Sequence, residues 1–459
     1  MPDNPYDQVA YRTFPRRQTH PDRLAAIARL FGMKSAPVAA CRVLEIGCGN
    51  GANLIPLAYY LPQSRFTGID LAASPITAAR AMAGELGLQN IDLRVADLRD
   101  LGAEEGEFDY IFAHGLYSWI PADVRDRLVA VCRERLAPQG VAFVSYNVYP
   151  GRYPRQMIRE ILLDHTRALD DPAKRIARAR RLLEQLDHEE ARSLLEQSDD
   201  SLFHDDLAPV NDPVWFREFA AHAQRHGLQF LGEADSHHTF DQAMARAEGE
   251  AVDAIEREQY VDFLKLRPFR QTLLCRAEIA LDRAIGAARM DEFLFSENKR
   301  ARRIRDGKRE PIFDEQAVEA VAQALHDTAP LPARFEELIP YAGNAQLLRE
   351  ILFGLLTAGC VNLHVHDFPC QETVTERPRV SRLARYQAAG GGNVTNACHI
   401  PVELDPTARH LVRLLDGTRT LQQIARKLAG IAGAPSLKEV RRCLPNTLDW
   451  LARMALLEG

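Results

Sequence analysis

The sequence predicts an α/β protein built on a Rossmann-like, doubly wound seven-stranded sheet, with a helical insert and C-terminal helical, winged-helix-like domains. Three observations carry this expectation. The run RVLEIGCGNGANL, Arg42 to Leu54, is apolar until it breaks at Gly47, Gly49 and Gly51 and resumes as a helix. Strand-like and helix-like segments then alternate, which implies a parallel sheet covered by helices, with ligands at the carboxyl ends of the strands. Beyond about residue 285 the pattern gives way to helices that end in short apolar, strand-like tails.

In chain order, the lead segment to His20 is polar and aromatic. It precedes a helix, PDRLAAIARLFGM, whose apolar residues recur at helical spacing and whose Pro21 and Asp22 suit a first turn. The segment reads either as a lid bringing Tyr11, Gln18 and Thr19 over a ligand or as an arm packed on the surface. Strands are expected at 42–47, 65–69, 91–96, 108–113 and 141–146, with helices at 51–61, 74–87, 121–136 and 154–168. Residues 170–200 are charged and helical with one apolar stripe, and they interrupt the sheet before it is complete. A dimerisation arm, a substrate cap and a solvated hairpin all suit them. After a helix at 213–226, GLQFLGEAD at 227–235 and TLLCRAE at 272–278 supply the last two strands, with a helical excursion at 240–268 between them. Residues 313–365 and 401–459 have the shape of winged-helix units, joined through the loop AAGGGNVTN at 388–396. The expected division is therefore a nucleotide-binding core with its lid over 1–168, the insert over 169–212, completion of the sheet over 213–284, and winged-helix-like domains over 285–375 and 376–459.

The glycine turn by itself is ambiguous. Gly47, Gly49 and Ala52 satisfy a dinucleotide pattern, and Asp70, about twenty residues on, is placed to hold a ribose hydroxyl pair. Glu45, two residues before the first glycine, would repel a pyrophosphate but suits a ligand carrying ammonium and sulfonium groups. Asp97, at the end of IDLRVAD, can accept a hydrogen bond from an adenine amino group. These acids point to S-adenosylmethionine. Asn50, Leu71 and Leu98 flank them and join the expected cofactor pocket, as do His114 and Gly115 through their backbone.

Glu45, the glycine turn, Asp70 and Asp97, in this order and spacing, resemble the first three motifs of class I S-adenosylmethionine-dependent methyltransferases. YDQVAYRTFPRRQTHPDRL (Tyr6 to Leu24), HGLYSWIP (His114 to Pro121), SYNVYPG (Ser145 to Gly151) and FRQTLLCR (Phe269 to Arg276) further resemble a bacterial family of methyltransferases with a regulatory domain, which includes rickettsial-type protein lysine methyltransferases. The resemblance is sharpest before residue 280, and Arg152 departs from it where an aromatic residue is expected. It implies methyl transfer to a protein lysine.

In-line displacement requires a nucleophile held about 3 Å from the methyl group and aligned with its bond to sulfur. A lysine amine must first be neutral, which a carboxylate, a tyrosine or desolvation can arrange. HGLYSW stands after the fourth strand where amide and nucleobase amine methyltransferases carry an N-P-P-Y-like tetrad. His114, Tyr117, Trp119, Asn147 and Tyr149 are the residues expected at the acceptor side, Tyr117 and Trp119 as walls for an aliphatic or cationic group. Trp119 as an anchor for the following helix is the alternative. FHDDL, with His204, Asp205 and Asp206, and Asn211 beyond it, read as either an acidic rim that attracts lysine or a solvated loop.

With 459 residues, 46% of them apolar and 26% charged, the chain is an ordinary multidomain globular protein. A net charge of -6 gives no general bias toward nucleic acid, and winged helices without a basic recognition helix favour protein contacts. With no long apolar run and no basic-then-apolar start, a cytoplasmic protein without membrane contact is expected. The eight cysteines are scattered without a C-x-x-C pair. His364, His366 and Cys370, and separately Asp235, His237 and His238, are the nearest approaches to a ligand cluster. Neither spacing favours a metal, and none is expected. The function classes that remain are a methyltransferase of protein lysine, one of a small molecule or biosynthetic peptide, and a non-catalytic cofactor-binding interaction protein; a homodimer is compatible with each.

Overall fold

The computed structural model describes residues 5–235, 253–298, 315–371, 373–431 and 436–458. Its lead segment carries a short helix α1 (Pro5–Gln8) and then α2 (Pro21–Leu30), capped by the His20 ring, which accepts from the Asp22 N–H at 3.1 Å. The core alternates as the sequence expects: β1 (Arg42–Ile46), α3 (Leu54–Tyr60), β2 (Arg65–Asp70), α4 (Ala73–Leu86), β3 (Ile91–Val95), β4 (Phe108–Ala113), α5 (Ala122–Arg135) and β5 (Leu136–Asn147). The first helix starts at Leu54 rather than 51, because Gly51, with φ +71°, prolongs the turn. The fifth strand starts at Leu136 rather than 141, because Leu136 pairs with Phe108 ahead of a register shift.

Helices α6 (Tyr153–Thr166), α7 (Pro172–Leu183) and α8 (Glu189–Leu195) pack on one another through Ile158, Leu162, Ile176, Leu183 and Leu194. A short α9 (Asp199–Ser201) runs into a π-helical turn at Leu202–Asp206. After α10 (Phe216–Arg225), the chain completes the sheet with β6 (Leu228–Glu233), α11 (Ala254–Lys265) and β7 (Phe269–Arg276). Residues 236–252, which include His237, His238 and the start of the expected excursion at 240–268, lie outside the described residues.

The seven-stranded sheet has the order β3-β2-β1-β4-β5-β7-β6; its first five strands run parallel and β7 is antiparallel to both neighbours. Two apolar layers flank it. One, with Val43, Phe66, Phe112 and Phe143, lies under α2, α3 and α4; the other, with Leu44, Ile111, Val144 and Tyr146, lies under α5 and α10. On β7, fully buried Arg270 bonds Glu233, Glu258 and Asp262 at 2.6, 2.9 and 2.9 Å and lies 3.9 Å from the centre of the Phe216 ring. Gly151 admits no side chain: a Cβ there would sit 1.9 Å from the Leu266 carbonyl oxygen, so the exit of β5 is locked against the approach to β7.

The first C-terminal unit has a sheet of β8 (Leu294–Glu297), β9 (Ala333–Arg334) and β10 (Val361–His364) in the order β10-β8-β9, with α12 (Glu315–Thr328), α13 (Phe335–Ala342) and α14 (Ala345–Thr357). Ala26 and Leu30 of α2 belong to its core. Buried Asp22 accepts from the Val365 N–H and bonds His364 Nδ1, both at 2.7 Å, while His364 Nε2 meets Ser296 at 2.8 Å. Both nitrogens of His364 are thus engaged, Nδ1 with α2 and Nε2 with β8. Burial alone would raise the Asp22 pKa, but His364 and the Val365 N–H outweigh it and hold it below the usual range. The second unit packs α15 (Arg382–Ala389), α16 (Pro406–Leu414), α17 (Leu421–Ala429) and α18 (Leu437–Arg453) around Leu411, Ile424, Leu444 and Leu451. No helix among the described residues is long and apolar enough to cross a membrane.

Candidate active site

The crevice opens where β1 and β4, neighbours in the sheet, send their chains to opposite sides. Gly47 and Gly49 take φ values of +76° and +52°, a region other L-residues rarely enter, and so reverse the chain within a few residues. Their turn is tied to β2: the Gly47 and Cys48 N–H groups donate to the Ile69 carbonyl at 2.8 and 3.0 Å. At the end of β2 the Asp70 carboxylate accepts from the Gly49 and Ala72 N–H groups, each at 2.8 Å. Burial raises the Asp70 pKa and these bonds oppose it. Leu71 beside it leaves 50% of its surface exposed, an apolar shelf at the mouth of a polar turn.

Glu45, at 4% exposure, sits beneath the turn, and burial pushes its pKa up to about 8 against the opposing bond from Asn53. Its Oε1 accepts from Asn53 Nδ2 at 2.8 Å, whereas the buried Oε2 has no partner among the described residues. Asn53 gathers three further contacts on its Oδ1: the Arg16 N–H at 2.8 Å, the Thr19 hydroxyl at 3.1 Å and His399 Nε2 at 2.9 Å. One side chain therefore joins the acid beneath the turn, the lead segment and the second C-terminal unit.

The lead segment lies over this crevice. Asn50 accepts from the Ala52 N–H at 3.1 Å and meets the Thr13 hydroxyl; Gln18 and Thr19 form a single 3-10 turn, Gln18 half-buried and Thr19 buried. Tyr6 stacks on His204 at 4.3 Å and Tyr11 meets the same ring edge-on at 5.3 Å. Burial, then the charges of Asp205 and Asp70, push the Tyr6 hydroxyl up to about 12. Asp205 is itself pushed up to about 6, by burial and then by Asp206. Asp206 is paired with Arg155 at 2.7 Å. Arg152, half-buried, lies beside Arg155, Asp205 and Asp206, and its pKa is lowered to about 10, by desolvation first. Arg16 acts electrostatically on Glu45, Tyr11, His114 and Asp205 together. Arg16 carries no signal in the sequence, being one of several arginines in a segment without periodicity.

Asp97, at the end of β3, caps the turn Leu98–Asp100 and pairs with Arg99 at 2.6 Å. Leu98 packs into the core with Leu44 and Ile69, so its side chain is taken up by the sheet's own packing. His114 stacks on Phe143 at 6.0 Å, and burial, then Arg16, push its pKa down to about 3, which keeps the imidazole neutral. The Gly115 N–H donates to Ser145 at 2.7 Å. Tyr117 departs from expectation as a wall of the crevice. The turn Tyr117–Trp119 swings its ring into the layer between β5 and α10, against Tyr146 and Phe219, where its hydroxyl bonds His222 Nδ1 at 2.8 Å. Trp119 stays half-buried, with an indole N–H that has no partner among the described residues. Asn147 bonds Asn211 at 2.7 Å, and Tyr149 stacks on Tyr153 at 4.2 Å beside Trp215.

Comparisons with known proteins bear on this site. Residues 43–140 match the family "Methyltransferase domain", 198–276 the "predicted methyltransferase regulatory domain" and 376–438 the "PKMT, C-terminal winged helix domain". The uncharacterized protein RP028 of Rickettsia prowazekii is 30% identical over 49% of this chain and 96% of its own length. RP789 from the same organism is 29% identical over 93% of this chain and 86% of its own. The solved structure of PKMT2 from Rickettsia typhi in complex with AdoHcy superposes with a TM-score of 0.83 at 26% identity, over 98% of this chain and 100% of that one. The chain belongs to the class I S-adenosylmethionine-dependent methyltransferases that carry a methyltransferase regulatory domain. Its cofactor is accordingly S-adenosylmethionine. The crevice of this methyltransferase fits the group: a buried carboxylate oxygen with no partner suits an ammonium, a turn-bound acid suits ribose hydroxyls, and an exposed leucine suits the face of an adenine.

Proposed function

We propose that this methyltransferase acts on the lysine side chains of a protein. The observation that carries the reading is the likeness to PKMT2 over nearly the whole chain, C-terminal units included. An exposed aromatic rim beside the crevice, with Tyr153 and Phe263 at 52% and 41% exposure around Trp215, also suits a macromolecular acceptor.

We assign Glu45 to the cofactor's ammonium, Arg16 to its carboxylate, Asp70 to the ribose hydroxyls, and Leu71 with Asp97 to the adenine. When bound, S-adenosylmethionine supplies a methyl group on a positively charged sulfur. The lead segment covers the crevice and excludes water. Asp205, an acid held near pKa 6 beside Tyr6 and Tyr11, attracts a lysine ammonium and accepts its proton, leaving the amine lone pair free to attack. Neutral His114 borders the methyl path without adding a charge.

The direct test is transfer of labelled methyl from S-adenosylmethionine into bacterial lysate, followed by mass spectrometry of the labelled residue. Methyl-lysine in a discrete protein is expected; label confined to small molecules overturns the protein reading, and tight cofactor binding without turnover overturns the enzymatic one.

Glu45 adds a pH dependence. Its pKa near 8 means that at pH 6 the side chain is protonated before the ligand binds, and a cation must displace that proton. Affinity for S-adenosylhomocysteine, which carries the same ammonium, therefore rises as pH rises, by about tenfold between pH 6 and 7. Calorimetry in buffers of different ionisation enthalpy should show close to one proton released at pH 7. A flat profile removes the ammonium from Glu45.

A further inference from the structure

A second cluster of ligating side chains stands apart from the crevice, in the groove between α5 and α10. His222 and His226 are one helical turn apart on the last turn of α10 and its cap, so both rings leave the helix on one side. Asp126 of α5 lies across from them. Its Oδ1 is 3.2 Å from His222 Nε2 and 2.8 Å from His226 Nε2, and the three ligand atoms lie within 4.8 Å of one another. We infer that Asp126, His222 and His226 bind one divalent transition metal of the zinc class, through two imidazole nitrogens and a carboxylate oxygen, with water completing the shell.

Ligands about 2.0–2.2 Å from a tetrahedral zinc are a little over 3 Å from each other, close to the 3.2 and 2.8 Å that separate Asp126 Oδ1 from the two imidazole nitrogens. The site is also supported from behind. His222 Nδ1 bonds the Tyr117 hydroxyl at 2.8 Å, which fixes the ring and leaves Nε2 for the metal, the usual arrangement around a ligating histidine. The backbone carbonyls at the end of α10 add negative potential toward a cation. Two nitrogens, one oxygen and an open side exclude magnesium and calcium, which take oxygen shells, and favour zinc over softer all-thiolate choices. His222 is largely buried while Asp126 is exposed, so the open position faces solvent and the ion can enter directly. The bound ion would clamp α10 to α5 and, through Tyr117, hold the turn that follows His114 and Gly115.

The test uses the full chain, stripped with a chelator, and zinc ion alone as the probe. Titration calorimetry should give one zinc per chain with a micromolar or tighter dissociation constant, and thermal melting should shift upward on adding zinc. Cys443 is an exposed thiol that can also take zinc, so the comparison with variants is the reading. His226→Ala and Asp126→Asn, both at partly or fully exposed positions, should each weaken this site by at least about 100-fold, and Tyr117→Phe by about tenfold, while still folding. Wild type and His226→Ala binding zinc alike, with no difference in the melting shift, overturns the proposal. So does a wild-type chain that binds none.

Discussion

Asp70→Ala is expected to lower methyl transfer, measured as kcat/KM for S-adenosylmethionine, by about 10²- to 10⁴-fold while leaving the sheet intact. The estimate follows from the acceptor's charge. Hydrogen bonds to a charged group contribute about 1.5–3 kcal/mol each, so losing a pair of ribose hydroxyls costs about 3–6 kcal/mol. The same change frees the Gly49 and Ala72 N–H groups, and the glycine turn loses its brace at the point where it must hold shape. Asp70→Asn keeps one acceptor oxygen and should fall between the two. Equilibrium binding of S-adenosylhomocysteine separates the effects: affinity and turnover drop together if Asp70 holds the ribose. An Asp70→Ala chain that binds the ligand as tightly as wild type would remove the residue from the cofactor site.

That prediction was reachable from the amino-acid order because the turn is a local object. Gly47, Gly49 and the acid about twenty residues beyond are fixed by one strand, one reversal and the next strand, so spacing alone places them together. The parallel sheet could be expected for the same reason: most of its strands return through a helix that the periodicity shows, the exception being the step from β3 to β4, where short 3-10 turns intervene. Tyr117 was misplaced because a 3-10 turn rotates its ring by a step that residue type does not encode, and the α5–α10 layer receives it. Arg16 carries no signal of its own in a segment rich in arginine; only the folding of that segment over Glu45 and His114 distinguishes it from Arg12 and Arg17. His399 reaches Asn53 across 346 residues, and His222 reaches Asp126 across 96. The four-residue spacing of His222 and His226 on an expected helix was visible, yet without the third ligand it is an ordinary surface pattern.

Arg270→Met should be the most damaging change to stability. The methionine replaces the guanidinium, but Glu233, Glu258 and Asp262 are left buried around it, and Arg267, 3.3 Å from Asp262, opposes part of their charge. Removing one partner from a buried ion network costs about 3–5 kcal/mol, because the remaining charges have already lost their water. The unfolding transition that includes the sheet should move down by about 10 °C. Its pH dependence identifies the cause. Burial already raises the Glu258 and Asp262 pKa values against the pull of Arg270, and losing Arg270 raises them further above their unfolded ones, so the folded chain binds more protons. The added instability is then smallest below the unfolded carboxylate pKa and grows as pH rises through the raised folded values. Urea titrations at pH 5 and pH 8 should therefore show a larger loss at pH 8. A loss below 1 kcal/mol at both would mean that the acids find water or protons without cost. Arg270→Lys returns the charge but not the planar fork that reaches all three acids at once, and it should recover only part of the loss.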